Sequence, residues 1–432
     1  MTEASSHPTS PAKLDVIVVG AGLSGLAAAI ATSLSGHSVT VFESAKELQE
    51  VGAGLQITPN ASRILQRWSL NPRLFSTAAI PSFLQVRRFS GEILMTDVHF
   101  DISMKKRYAA PFAGIHRVDL QQALYQRARD LGARFELGQR VDGIDLDAAE
   151  VRTATGLKVR ADLIVAADGL RSRCRDVFIP DGDGPRATGD LAYRIVLRLD
   201  DIDDAELRRW VRDVSVHFWI GPGSHAVGYS LRGGMEYNIV LVVPDDLPDG
   251  VVRQPGSVEQ MKMLFKDWDP ILSRFLGQVR RVDQWKLQYR SELVSWVNDK
   301  SNLVFVGDAC HPMLPYLSQG ANSAIEDGAV LGLLLGHLRS KDQLPKALQM
   351  YQQLRKTRGD AVVKETFKQR DSFHMPDGPE QEARDKIFEA HRRGEPIQPP
   401  FPSRWSCPEV QAWLYGYDAF KEVEEAVKID PF

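Results

Sequence analysis

The sequence predicts an α/β fold in which a Rossmann-like nucleotide-binding domain is joined to an antiparallel sheet and a set of C-terminal helices. Three observations predict it. The stretch "DVIVVGAGLSGLAAAIATSLSGHSVTVFES" runs strand, glycine turn, helix, strand. From about residue 186 the pattern changes to strands at short spacing. Towards the C-terminus, long helical patterns with charged outer faces take over.

The first strand, "DVIVV", is a continuous apolar run of the kind covered on both faces. Gly20, Gly22 and Gly25 follow as G-x-G-x-x-G. The first glycine permits the tight turn, the second lets backbone approach a pyrophosphate, and the third lets helix and strand pack closely. "LAAAIATSL" is a small-residue helix ending before Gly36, and its N-terminus offers free N–H groups and a positive dipole end to phosphates. "SVTVFE" is a second strand ending on Glu43, which is placed to accept hydrogen bonds from a ribose. In this strand–helix–strand context the glycines predict dinucleotide binding.

The 432 residues are enough for two cooperating domains. The expected division is a tail at 1–13, a nucleotide-binding domain at 14–185 and 286–340, a sheet domain at 186–285, and helices with an extended tail at 341–432. A net charge of −3 gives no reason to invoke nucleic acid or an anionic membrane. Cys174, Cys310 and Cys407 share no metal-like spacing, and an odd count argues against a disulfide framework. No metal is expected, and a reducing, cytoplasmic setting is. "MTEASSHPTSPAK" reads as a frayed polar tail, not a signal peptide. "AVLGLLLGHL" falls well short of the roughly 20 residues that span a bilayer.

Two further stretches carry site chemistry. "ADLIVAADGLRSRCRD" is an apolar strand ending at Asp168-Gly169, read either as a plain turn or, with Arg171, Ser172 and Arg175 after it, as part of a phosphate site. "GIHRVDLQQALYQRA" puts Arg117 directly before an amphipathic helix, where it is either a surface charge or an anion holder. Later, "NLVFVGDACHPMLPYLSQGANSAIEDG" ends a strand in irregular, proline-fixed backbone. Ser323 and Glu326 match a capping box that would start the next helix there, and His311 reads as loop packing.

The glycine motif, the Asp-Gly and "GDACHPMLPYLSQGANSAIEDG", in this order and spacing, resemble the single-component FAD-dependent aromatic hydroxylases of the salicylate-hydroxylase-like branch. The resemblance covers roughly residues 14 to 370. It implies a para-hydroxybenzoate-hydroxylase-like fold, FAD as the cofactor and NADPH as a co-substrate without a nicotinamide domain of its own. It implies Glu43 on the adenosine ribose, Arg117 at the pyrophosphate and Gly54 near the flavin. Asp168 would serve FAD and NADPH, and Asp308 the ribityl chain. Pro315 would lie beside the flavin, with Gly320, Ala321 and Asn322 at its pyrimidine edge.

The sheet strands "DLAYRIVLRLD", "SVHFWIG", "HAVGYSLRGG" and "MEYNIVLVV" include a hairpin turn at Gly233-Gly234. Period-2 alternation puts Ala192, Arg194 and Val196 on one face, and His225, Val227, Tyr229 and Leu231 on one face of another strand. An Arg, a His and a Tyr on an apolar wall suit a phenol, whose anion is the better ring nucleophile towards a C4a-hydroperoxyflavin. By resemblance, Arg194 and Tyr229 match phenolate binders of fungal dearomatising relatives. His225 matches a catalytic His of hydroxybenzoate-type relatives.

The expected function is therefore NADPH- and FAD-dependent hydroxylation, using molecular oxygen, of a small polyketide-type phenol ortho to its hydroxyl. The product is a catechol, a dearomatised dienone or a decarboxylated ring, and the chain is a monomer or homodimer. A non-phenolic oxygenase such as an epoxidase, and a flavin-binding scaffold without turnover, are the alternatives. In the C-terminal part "KALQMYQQLRKTRGDAVVKETFKQRDSF" reads as a bracing helix and "GEPIQPPFPSRW" as a stretch extended across the surface. Trp405, Trp413 and Tyr415 either anchor that tail or serve a dimer contact.

Overall fold

The computed structural model describes residues 7–48, 53–70, 74–182, 184–396 and 400–432. The apolar run Asp15–Val19 is the central strand of a five-stranded sheet, in the order Leu303–Phe305, Leu163–Ala166, Asp15–Val19, Ser38–Glu43, Arg134–Leu137. Every neighbouring pair is parallel. Helices on the faces of such a sheet remove the need for polar alternation, which is why these strands read as unbroken apolar runs.

Two of those helices, Leu23–Leu34 and Gln319–Gly336, each follow a strand of this sheet. A methyl group at Gly328 would lie 2.6 Å from the backbone of Ala27, and one at Gly332 would lie 2.4 Å from that of Ala31. The helices therefore touch backbone to backbone, and their N-termini border the same cavity.

The second sheet has eight strands, ordered Arg253–Gly256, Val282–Tyr289, Arg186–Arg198, Glu236–Pro244, Ser224–Leu231, Ser215–Gly221, Phe83–Arg88, Ile93–Val98. It is antiparallel except where Ser215–Gly221 pairs with Phe83–Arg88 in parallel. The expectation of a sheet built only from 186–285 is corrected at this edge. Every residue of Ser215–Gly221 is buried, so its outer backbone groups need a partner, and the earlier strand supplies one.

Alternation divides the second sheet cleanly. Leu191, Tyr193, Tyr237, Ile239 and Leu241 pack into a core with the helices Ala205–Arg212, Val258–Leu264 and Pro270–Gly277. Ala192, Arg194, Val240, Val242, His225, Val227 and Tyr229 occupy the opposite face, towards the first sheet.

The ends of the chain depart from expectation. Residues 1–6 lie outside the described residues, but 7–13 are packed, not frayed. The Ser10 hydroxyl donates to the Leu338 carbonyl at 2.7 Å, and the Ser10 N–H donates to the Ser35 carbonyl at 3.0 Å. The helix Leu344–Phe373 runs 30 residues. Beyond it residues 394–396 and Pro400 are exposed, as expected of a surface stretch, but Phe401, Ser403, Trp405 and Cys407 are buried, so its end turns into the interior. The indole N–H of Trp405 donates to the Tyr316 carbonyl at 3.1 Å, which anchors the segment under the cavity loop. Residues 397–399 lie outside the described residues. Among those described, no helix is long and apolar enough to cross a membrane.

Candidate active site

Between the two sheets lies an elongated cavity of about 630 Å³. Its wall collects Gly20, Gly22, Glu43, Gly54, Arg117, Asp168, Asp308, Pro315, Gly320 and Ala321, together with Arg194, His225 and Tyr229. Gly25 and Asn322 sit behind the wall. A methyl group at Gly25 would strike the Gly20 carbonyl at 1.9 Å, so this glycine lets the helix meet the turn. The Asn322 side chain donates to the Gln56 carbonyl at 3.0 Å and accepts from the Thr58 N–H at 2.9 Å. It thus ties the helix start directly to the end of the strand Gly54–Ile57 behind the cavity wall.

The residues present fit FAD. Gly20 turns at φ +102°, and a side chain on Gly22 would stand in open space, with no atom within 4 Å. The helices Leu23–Leu34 and Gln319–Gly336 both start without a side-chain cap, leaving their N-termini to an anion. Arg117 opens the helix Arg117–Asp130 beside them. The Glu43 carboxylate accepts the N–H groups of Ala21 and Ala45, each at 2.8 Å, which fixes it at the cavity's edge with lone pairs left for hydroxyls. Asp308 is open to the cavity yet enclosed by protein, so desolvation raises its carboxyl, opposed by the His311 and Arg117 charges.

Asp168 combines its two readings. It lines the cavity, and its carboxylate accepts the Ser172 hydroxyl at 2.5 Å and the Cys174 N–H at 3.0 Å. Arg171 and Arg173 border the cavity. Arg175 is buried and donates to the Ser291 carbonyl at 2.6 Å, so it is not part of the phosphate end.

One expectation is corrected. The helix after the loop starts at Gln319, four residues before Ser323, and Glu326 caps nothing. Glu326 is fully buried and accepts from Arg358 at 2.8 Å and from Asn60 at 2.6 Å, with Arg355 at 2.8 Å. Its neighbour Asp327 accepts from Arg355 at 2.8 Å, from the Gly307 N–H at 2.9 Å and from His311 at 2.6 Å. Burial alone would raise Asp327; the His311 and Arg355 charges outweigh it and hold the carboxyl at about 2. This ion network pins the start of the loop 307–318 to the helices Gln319–Gly336 and Leu344–Phe373. Cys310, His311 and Asp327 converge within 4.8 Å, and Arg355 supplies the countercharge there.

Gly54 lines the cavity, and a methyl group on it would lie 2.6 Å from the Tyr229 ring and 2.9 Å from Asn238. The space left by its missing side chain is taken by Tyr229, while its N–H donates to Asn238 Oδ1 at 2.7 Å.

The inner end of the cavity is set by strand register. Arg194 pairs with Val240, which pairs with Val227; Ala192 pairs with Val242, which pairs with His225; Tyr229 faces Asn238. Arg194 lies over the Trp285 ring at 4.2 Å, which fixes its guanidinium. Burial pushes the Tyr229 phenol well above its ordinary value, with the Arg194 charge pulling it back, so it stays a neutral donor. His225 is buried, and burial with the His374 and Arg370 charges keeps it neutral. Its Nδ1 stands 2.6 Å from His374 Nε2.

Sequence reasoning missed Asn238, Trp285 and His374. Asn238 lies on a predicted strand and was within reach of the period-2 argument, whereas Trp285 lies on Val282–Tyr289, a strand that the sequence reading does not include. His374 stands beyond any motif, and only the fold brings it to His225.

A parallel sheet with a phosphate-binding glycine turn, facing an antiparallel sheet across a cavity with two helix N-termini, defines a flavin-dependent oxidoreductase. The chain belongs to the FAD binding domain family, whose model matches residues 13–366. It is an FAD-dependent monooxygenase of the aromatic-hydroxylase type. It is 48% identical over 418 residues to the FAD-dependent monooxygenase OpS4 of Beauveria bassiana, covering 96% of this chain and 97% of that one. It is 30% identical over 412 residues to 3-hydroxybenzoate 6-hydroxylase of Polaromonas naphthalenivorans, covering 95% and 97%. Among solved structures, FqzB superposes with a TM-score of 0.81 at 24% identity over 98% of this chain and 96% of that one. A salicylate hydroxylase substrate complex superposes at 0.78 and 22%, over 96% and 98%.

Proposed function

We propose that the enzyme hydroxylates a phenol ortho to its hydroxyl, with NADPH as reductant and molecular oxygen as oxidant. The observation that carries this reading is the shared face of Arg194, His225 and Tyr229 beside the Met313–Pro315 stretch of the cavity loop. A guanidinium, a neutral imidazole and a neutral phenol on a valine-lined wall suit one anionic oxygen on an otherwise apolar ring.

In this reading the substrate hydroxyl lies between Arg194 and Tyr229. A cation within about 4–6 Å lowers an acid's pKa by roughly 1–3 units. Arg194 thereby brings ionisation of the phenol towards neutral pH. Tyr229 donates a hydrogen bond to the oxygen, and His225 accepts the proton. Ionisation enriches the ring carbon ortho to the oxygen, which is the carbon that gains the new hydroxyl.

Gly22, Glu43, Arg117, Asp308 and the start of Gln319–Gly336 would hold FAD. Bound FAD supplies the hydride acceptance and oxygen activation. The balance is one NADPH, one proton and one O2 consumed, giving one hydroxylated ring, NADP⁺ and water. The relatives named for 3-hydroxybenzoate and for 3-amino-4-hydroxybenzoate support a phenolic substrate, since both names describe phenols.

The test is substrate-stimulated oxidation of NADPH, against NADH, by the holoenzyme with orcinol, 2,4-dihydroxyacetophenone and 3-hydroxybenzoate. A product heavier by one oxygen, with a catechol or dienone ultraviolet spectrum, is expected from at least one of them. No stimulation by any phenol, alongside turnover of a non-aromatic alkene, would move the reading to an epoxidase.

A further inference from the structure

One residue of the cavity loop is held at both its ends by groups that stand behind the cavity wall. Pro315 lines the cavity, and Tyr316 follows it, 3% exposed, in the middle of the short turn Pro315–Leu317. The Tyr316 hydroxyl donates to the Asp190 carboxylate, and its carbonyl accepts the Trp405 indole N–H at 3.1 Å. Asp190 is 1% exposed and also accepts Arg370, from Nη2 at 2.8 Å and from Nε at 2.5 Å. The strand Arg186–Arg198, the cavity loop and the helix Leu344–Phe373 therefore meet on one carboxylate.

Asp190, Ala192 and Arg194 alternate onto one face of their strand, in regular register with Pro244, Val242 and Val240. Ala192 and Arg194 line the cavity, so Asp190 extends the same wall by one step. Against that wall, Leu314 and Tyr316 of the loop pack with Ala192, Val242 and Leu287 in one buried cluster. Apolar packing is non-directional and lets one surface slide on another. A hydrogen bond to a carboxylate is directional and stronger than a neutral one, so it can fix the register that packing leaves open. Burial and the Asp190 charge push the Tyr316 phenol far above its ordinary value, which keeps it a donor. Ser318, two residues on, turns at φ +50°, a conformation that persists where its surroundings hold it.

We propose that Tyr316 is a positioning residue for oxygen transfer. Its bond to Asp190, with Arg370 steadying the carboxylate, sets the gap between the Met313–Pro315 stretch and the wall of Ala192 and Arg194. This rests on the monooxygenase class and not on the choice of a phenol as substrate. The consequence is a competition between two fates of the same oxygen. Each turnover consumes one NADPH, one proton and one O2. In the productive branch the O–O bond breaks, one atom is bonded to the substrate and the other leaves as water. In the other branch both atoms leave together as H2O2. Transfer needs the reacting atoms aligned, and a small misplacement slows it roughly ten- to a hundred-fold; release of H2O2 needs no alignment with the substrate. Loosening the gap therefore slows the productive branch alone and raises the ratio of peroxide to product by the same factor.

The experiment compares wild-type holoenzyme with Tyr316→Phe and Arg370→Lys, using the phenol or alkene that the wild type oxygenates. H2O2, oxygenated product and NADPH consumed are measured per bound FAD. The ratio of peroxide to product should rise about ten-fold in Tyr316→Phe, with KM for NADPH near wild type. Arg370→Lys keeps the charge but not the two-pronged grip, so a smaller rise is expected. The double variant should exceed Tyr316→Phe little, because both substitutions act through Asp190. Hydrogen exchange read by mass spectrometry needs no substrate: the amides of 312–319 should exchange roughly ten-fold faster in Tyr316→Phe, with those of Leu23–Leu34 unchanged. An unchanged ratio per bound FAD, whether or not FAD or stability is lost, overturns the positioning role. Unchanged exchange over 312–319 overturns it even where no compound is oxygenated. Turnover of the alkene alone would remove the phenol reading and leave the ratio to decide this one.

Discussion

A methyl group on Gly54 would stand 2.6 Å from Cε2 and 2.7 Å from the hydroxyl of Tyr229. The ring of Tyr229 is therefore held from two sides: its own strand presents it, and the strand Gly54–Ile57 presses against it. Asn238 completes the contact by accepting the Gly54 N–H. The strand Gly54–Ile57 and the eight-stranded sheet are mechanically joined at this point.

Gly54→Ala tests that joint. The added methyl cannot be relieved by a flexible neighbour, since an aromatic ring and a bonded amide meet it. The expected outcome is a fall in kcat/KM of roughly ten- to a hundred-fold, as small misplacements of a positioning group cost that much. FAD content, read from the flavin absorbance, should stay near wild type. Loss of FAD with normal kcat/KM per bound flavin would assign Gly54 to the cofactor instead.

In the proposed reading, Arg194→Met removes the countercharge for the bound phenolate. The acid limb of the kcat profile, which reports ionisation in the bound complex, should move up by roughly 1–2 pH units, the size of an ion-pair effect in a partly buried site. Arg194→Lys keeps the charge but not the flat stacking on Trp285, so an intermediate shift is expected. A profile unmoved in Arg194→Met would place the phenol oxygen elsewhere.

Much of this site is written in local pattern. Alternation puts Arg194 on one face of Arg186–Arg198, and His225 with Tyr229 on one face of Ser224–Leu231; the pairing of both strands with Glu236–Pro244 makes those faces one wall. The glycine turn is equally local. Glu326 shows the limit: Ser323 and Glu326 fit a helix-start signature, and no nearby residue reveals that Arg355 and Arg358 will bury that carboxylate. The parallel pairing of Phe83–Arg88 and the meeting of His225 with His374 are likewise long-range, and nothing in either segment specifies the partner.

Gly332→Ala tests the close helix pair. Its methyl would lie 2.4 Å from Ala31 backbone and side chain, which cannot move without shifting a helix. Overpacking of this kind costs typically about 1–3 kcal/mol. Urea unfolding should show that loss. FAD affinity should also fall, because the two N-termini would no longer share one cavity edge.

The buried network at Asp327 sets an acid limit. Its carboxyl is held at about 2 against an ordinary 3.8. A depressed folded pKa gives stability that is present above the unfolded value and lost as pH falls through the folded one, here between about pH 4 and 2. His311 is shifted the other way: burial lowers it, Asp327 outweighs this, and the net shift is upward. Its contribution is full below its unfolded value of 6.5 and fades as pH rises through the raised one. Asp327→Asn should remove both effects and leave Arg355 short of a partner, costing about 3–5 kcal/mol at neutral pH. Urea midpoints at stepped pH check this: the wild-type curve should fall more steeply below pH 4 than the variant's, by up to one proton's worth of slope. Parallel curves would mean that the charge on Asp327 does not hold the loop.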